Sequence, residues 1–243
     1  MQVLKFGGSS VADAQNMSKV VDIVIKAVDR DRTILVVSAI SGCTDTLIKI
    51  GTLASERDES YKTLIDKLQQ RHHDIINELL PREKQNESLA VCDSLFDSLR
   101  SITQGVFLLG ELSPASLDAI QSFGELWSTK ILATKLASIG ISTKWIDSRQ
   151  IIRTVAKGDK NVVDVQKTYY RVNEMVESNR ITQLFVLPGF IASDKQGRTT
   201  TLGRGGSDYT ASLYAVGCKA RVLEIWTDVP GMMTSNPKIV PTA

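Results

Sequence analysis

The chain has 243 residues, 29 Lys+Arg against 27 Asp+Glu, a net charge of +2, 42% hydrophobic residues and 23% charged ones. So even a charge balance gives no electrostatic footprint for nucleic acid or an anionic membrane. The length fits one or two domains with a core that needs no disulfide or metal staple.

The three cysteines, Cys43, Cys92 and Cys218, make no CxxC pair. They exclude a zinc ribbon or a disulfide framework and fit reduced thiols in a cytoplasmic protein. Met1–Phe6 runs straight into glycines without the apolar stretch of a signal peptide. No apolar run reaches the ~20 residues that span a bilayer.

In chain order, Val3–Phe6 reads as a short strand stopped by Gly7-Gly8. Ser9 or Ser10 is the expected cap of a helix whose apolar stripe is Met17, Val20, Val21, Val24, Ile25 and Val28. Thr33–Ser38 is a β-branched run of the kind buried on both faces of a parallel sheet. After Gly42, a helix is expected from near Thr44-Asp45, with Leu47, Ile48 and Leu53 inward. Strand–helix–strand–helix argues for an α/β fold.

Residues 56 to 110 hold helical stripes and no strand: Leu64, Leu68, Ile75, Ile76 and Leu79, then, past Pro81, Leu95, Phe96, Leu99, Ile102 and Val106. A third helix follows Pro114, with Ile120, Phe123, Trp127 and Ile131 inward. The region is expected to be a helical insertion, about 56–138, packed on the α/β core. Within it lie the only two histidines, His72 and His73, read as part of a solvated helix face. Strands are expected again at Ser142–Ile146 and Leu184–Ala192, a turn at Asp194–Gly197 and a hairpin arm at Arg198–Leu202. Ser207 or Asp208 is the expected cap of a helix through Val216, and Arg221–Trp226 is the last strand.

Two places repeat one design of strand, glycine pair and helix start: Lys5-Phe6-Gly7-Gly8-Ser9-Ser10 and Gly203-Arg204-Gly205-Gly206-Ser207-Asp208. Glycines let backbone N–H groups approach a ligand closely, a helix start adds partial positive charge, and each loop carries one cation. The combination suits an anion, phosphate above all. Neither loop is a Walker A or a Rossmann fingerprint. With no histidine placed for catalysis, the inventory suits phosphoryl transfer to a carboxylate. That acceptor is already ionised at neutral pH and needs positioning and charge neutralisation rather than a base.

The motifs resemble those of aspartokinases. Lys5-Phe6-Gly7-Gly8-Ser9-Ser10 is similar to their opening motif, and Val37-Ser38-Ala39 with Gly42 and Thr44 to their second. Ser122-Phe123-Gly124-Glu125 resembles a third. Gly189-Phe190-Ile191 followed by Thr201–Thr210 resembles the most specific signature, and Trp226–Gly231 the nucleotide-side motif. The matches run in order along the whole chain. They look most like the kinase part of bifunctional aspartokinase–homoserine dehydrogenases.

The resemblance implies the amino acid kinase fold, a three-layer αβα sandwich with a mainly parallel central sheet. It implies ATP-dependent phosphorylation of the β-carboxylate of L-aspartate, the first step towards lysine, threonine and methionine. Lys5 and Asp208 would be catalytic, with Lys5, Gly7, Gly8, Ser9, Thr227, Asp228, Met233 and Lys238 on the ATP. Met233 stands where family members usually have an aromatic residue, and Lys238 where they have arginine. Thr44, Glu125, Phe190, Arg204 and Ser207 would hold aspartate, with Arg204 on the α-carboxylate and Glu125 on the α-ammonium. Read without the resemblance, Glu125 is a solvated helix side chain and Thr44 a helix cap.

Mg²⁺ would be carried by the ATP phosphates, with no metal site on the protein. The partners implied are ATP and L-aspartate, without nucleic acid or membrane, and a homo-oligomer in the full-length parent. Residues 1–243 are expected to be a C-terminally incomplete catalytic domain that binds ATP weakly. The alternatives are another amino acid kinase, acting on glutamate, N-acetylglutamate or UMP, or an inactive truncated fragment.

Overall fold

The computed structural model describes residues 1–158, 160–227 and 240. Its centre is a five-stranded sheet in the order β3-β6-β2-β1-β9, built from β1 (Gln2–Phe6), β2 (Thr33–Val37), β3 (Thr143–Trp145), β6 (Leu184–Pro188) and β9 (Val222–Trp226). Every pairing in it is parallel. β1, β2 and β6 are buried at every position, as their near-continuous apolar sequences require.

Alternate side chains feed two cores. Leu4, Phe6, Leu35, Val37, Leu184 and Val186 face one, formed with α1 (Ala14–Arg30), α2 (Cys43–Ser55), α3 (Ser60–Leu79), α4 (Arg82–Leu109) and α5 (Pro114–Ser138). Val3, Ile34, Val36, Phe185 and Leu187 face the other, with α6 (Ser148–Ile151), α7 (Val165–Glu177) and α8 (Gly206–Gly217). The result is a three-layer αβα sandwich. Two antiparallel hairpins lie outside the sheet, β4 (Thr154–Lys157) with β5 (Lys160–Val163) and β7 (Ile191–Ser193) with β8 (Thr199–Thr201).

Several local expectations change. Neither Ser9 nor Ser10 caps α1. Both lie in a 3₁₀ turn, Gly8–Val11, and the Asp13 carboxylate caps the helix by accepting from the Asn16 N–H. α2 and α8 each start after a left-handed glycine, Gly42 (φ 75°) and Gly205 (φ 74°), which puts Thr44, Ser207 and Asp208 inside first turns rather than at caps. The apolar stretch 184–192 is not one strand. Phe190, at φ 65°, is the centre of a γ-turn closed by Ile191 N–H donating to Gly189 C=O, and it splits β6 from β7. His72 is fully buried, edge-on to Phe96 and tilted against Trp127, which itself stacks on Phe96. Burial pushes its imidazole down to about 4. His73 is partly exposed and meets Asp93.

Candidate active site

In parallel α/β sheets ligands bind beyond the carboxyl ends of the strands. A cavity of about 310 Å³ occupies that place here. It draws Lys5 and Gly8 from the end of β1, Ser38–Gly42 from the β2–α2 loop, Thr44 and Asp45 from α2 and Glu125 from α5. Phe190 of the γ-turn and Gly203, Gly205, Gly206, Ser207 and Asp208 at the start of α8 complete it. A second cavity, about 280 Å³ between α4 and α5, is lined by Trp127, Lys130 and Trp145 and by none of these residues.

Lys5 is the fourth residue of the five in a buried strand, yet its ammonium escapes the core at the strand end. It pairs at 2.6 Å with Asp208 Oδ1, from the first turn of α8. The pair ties the two glycine loops together across the cavity mouth. Lys5 is 8% exposed, so this charge sits where water screens it weakly. A Cβ on Gly7 would lie 3.6 Å from Lys5 Nζ, which places the ammonium against that loop. First turns of α2 and α8 both bound the cavity, so two helix N-termini add to the field that favours an anion there.

Glu125 is the other buried ionisable group of the cavity. α5 approaches the β2–α2 loop closely because residue 124 is glycine: a Cβ there would stand 2.7 Å from Ala39 Cβ. The approach lets Glu125 Oε1 accept from the Ala39 N–H at 3.1 Å. Oε2 has no hydrogen-bond partner among the described residues. The residue is 3% exposed, and desolvation pushes its carboxyl up to about 8 against the Ala39 hydrogen bond. A half-satisfied buried carboxyl on the wall of a cavity is built to receive a donor, best of all a cationic one.

The remaining pieces are positioned by α8. Thr210 Oγ1 accepts from Phe190 N–H at 3.0 Å and donates to Gly206 C=O at 2.8 Å, holding the γ-turn against the helix start. Arg204 is exposed, between Gly203 and Gly205, and does not bound the cavity, and neither do Gly7, Ser9 or Thr227. Thr227 follows Trp226, which is in register with Phe6, so it stands at the same sheet end as Gly7. Phe6 and Trp226 stack with centroids 5.7 Å apart. Asp228, Met233 and Lys238 lie outside the described residues.

Sequence reasoning gave no role to Ala39, whose contribution is a backbone N–H and so leaves no side-chain signature. It also gave none to Asp45, which only the first turn of α2 brings to the cavity. Among the described residues no group of three or more His, Cys, Asp or Glu could hold a metal, and no helix is long and apolar enough to cross a membrane.

The model of the amino acid kinase family matches residues 1–243. The lysine-sensitive aspartokinase 3 of Escherichia coli strain K12 is 33% identical over 243 residues, covering 99% of this chain and 52% of that protein. The chloroplastic bifunctional aspartokinase/homoserine dehydrogenase 1 of Arabidopsis thaliana is 29% identical, covering 99% of this chain and 26% of its own length. The crystal structure of E. coli aspartokinase III with aspartate and ADP superposes with a TM-score of 0.86 at 31% identity, covering 98% of this chain and 52% of that one. The chain thus spans about half the length of the E. coli enzyme and about a quarter of the bifunctional one.

Proposed function

The chain belongs to the amino acid kinase family, and from that premise we propose that it is an aspartate kinase, transferring the γ-phosphoryl group of ATP to the β-carboxylate of L-aspartate. The observation that carries this reading is that one cavity holds both an ammonium, Lys5, and a half-satisfied buried carboxyl, Glu125. Lys5, with two helix N-termini, receives phosphate, and the half-satisfied carboxyl of Glu125 receives an ammonium. An acceptor with a free amino group fits that pairing. N-acetylglutamate and UMP lack one. The E. coli relative crystallised with aspartate and ADP adds support.

In this reading a β-carboxylate oxygen attacks the γ-phosphorus. The new P–O bond forms as the bond to the bridging oxygen breaks, and ADP leaves with that electron pair. No base is needed, because the nucleophile is ionised at neutral pH. Lys5 offsets charge on the transferred group. Asp208 holds the Lys5 ammonium at the cavity mouth, while Gly7, Gly8 and Ser9 offer the triphosphate a loop, with Thr227 on the nucleoside side. Mg²⁺ enters with the triphosphate. Arg204 clamps the α-carboxylate, Glu125 accepts the α-ammonium, and Thr44, Phe190 and Ser207 shape the pocket. Roles for Asp228, Met233 and Lys238 on the nucleotide rest on sequence alone.

ADP release measured with L-aspartate, L-glutamate, N-acetylglutamate and UMP tests the reading. Turnover is expected with L-aspartate above all. Preference for L-glutamate, N-acetylglutamate or UMP would overturn it.

A further inference from the structure

Arg71 of α3 lies outside the cavity, and no motif singles it out. Its guanidinium nevertheless serves both loops that bound the phosphate side. Nη1 donates to Ser41 C=O and Nη2 to Ala12 C=O, each at 2.8 Å. Ala12 is the C-terminal cap of the 3₁₀ turn Gly8–Val11, and Ser41 is a cavity residue of the β2–α2 loop. The same two loops are stitched directly by Ser41 N–H donating to Gly8 C=O at 3.2 Å and Ser38 N–H to Phe6 C=O at 3.1 Å.

We propose that Arg71 is a positioning residue that locks these two loops into one anion-receiving edge. The proposal rests on the reading of the cavity as a phosphoryl-transfer site.

α3 does not need Arg71 in order to dock. Tyr61, Ile65, Leu68, His72, Ile75, Ile76 and Leu79 bury its inner face. Those contacts make the helix a fixed platform, and the arginine projects from it to the loops. The bonds therefore constrain the loops more than the helix. A planar fork can hold two carbonyls in fixed relative direction, which a single ammonium cannot do. In a trans peptide the C=O and N–H point opposite ways. Fixing the Ser41 carbonyl thus also fixes the direction of the Gly42 N–H, and Gly42 bounds the cavity. The helical layer acquires a task by this route: it braces the site from behind.

The test combines kinetics with amide hydrogen exchange on Arg71→Ala and on Arg71→Lys, which keeps the aliphatic stem and the charge. In Arg71→Ala, exchange is expected to accelerate in residues 7–12 and 38–43 while α3 stays protected. KM for ATP should rise about tenfold, the scale of one lost hydrogen bond to a charged group, with a smaller change in kcat. Added ethylguanidinium should restore part of the loss in Arg71→Ala, and Arg71→Lys should recover less than the parent arginine. Unchanged loop exchange, or acceleration spread through α3, would overturn the proposal. The exchange measurement needs no turnover. If the unaltered chain failed to phosphorylate aspartate, the substrate reading would fall while the bracing role was still decided. Should Arg71→Ala not fold, Arg71→Lys supplies the same exchange comparison.

Discussion

Gly7-Gly8 after β1 and Gly205-Gly206 at the start of α8 look alike in sequence, and Lys5 pairs with Asp208 to join them. Their backbones differ. Gly7 is extended, at φ −77°, and the chain enters a 3₁₀ turn with no left-handed residue. Glycine is needed at position 8 for proximity, since a Cβ would stand 2.8 Å from the Ala39 carbonyl oxygen. In the second loop Gly203 and Gly205 are left-handed, at φ 70° and 74°, with open space around them. One loop uses glycine to bring two strand ends together; the other uses Gly203 and Gly205 to turn the chain into a helix start, and Gly206 to pack that start against Phe190. The same letters therefore predict different mutational costs.

The largest effect should come from cutting the link between the loops. Lys5→Ala is expected to lower turnover about 10²–10³-fold, the scale for removing one preorganised charge stabiliser. ADP release at saturating ATP measures it, and a loss below about threefold is too small for such a group.

Glu125 lines the same cavity and should dominate the pH dependence of stability. Its folded value of about 8 exceeds the ordinary 4.5. The folded state keeps a proton that the unfolded chain releases, so its contribution is full below pH 4.5 and is lost as pH rises towards 8. His72 has the opposite slope. Its folded value of about 4 lies under the ordinary 6.5, and stability is lost as pH falls from 6.5 to 4. Urea melts of Glu125→Gln across this range should show the first slope gone and the second kept, a difference on the order of a few kcal/mol at pH 8. An unchanged profile would mean that Glu125 is solvated.

Alanine at the glycines sharpens the contrast. Gly8→Ala should cost about 1–3 kcal/mol through overpacking. Gly203→Ala should cost roughly 1–2 kcal/mol through its left-handed backbone alone. Gly7→Ala should stay within about 0.5 kcal/mol, since its backbone is ordinary. Denaturant midpoints rank the three, and a reversed order would remove the distinction between the loops.

Much of this was legible in the sequence. β2 announces itself as a β-branched run, β1 and β6 as short, mostly apolar ones, and the first glycine loop marks where β1 ends. What failed to show was what depends on distant partners. His72 reads as a solvated helix residue because Phe96 and Trp127, which bury it, arrive from α4 and α5. Glu125 reads as solvated on its own, and only the close approach at Gly124 takes it out of water. The break at Phe190 is marked in the sequence only by the turn dipeptide Pro188-Gly189, and the γ-turn itself is held from a distance by Thr210. α7 carries a helical stripe, Tyr169, Val172, Met175 and Val176, and was legible; the β4–β5 hairpin falls in a polar stretch with little apolar patterning to announce it.

The central claim is that Lys5 and Glu125 serve opposite ends of one reaction, delivery of phosphate to a carboxylate. Trapping with hydroxylamine tests it most directly, because an acyl phosphate yields a hydroxamate and a phosphate ester does not. With ATP and L-aspartate, the account predicts aspartyl hydroxamate forming in step with ADP, and neither product accumulating in Lys5→Ala. ADP released without hydroxamate, or hydroxamate formed equally well by Lys5→Ala, would contradict it.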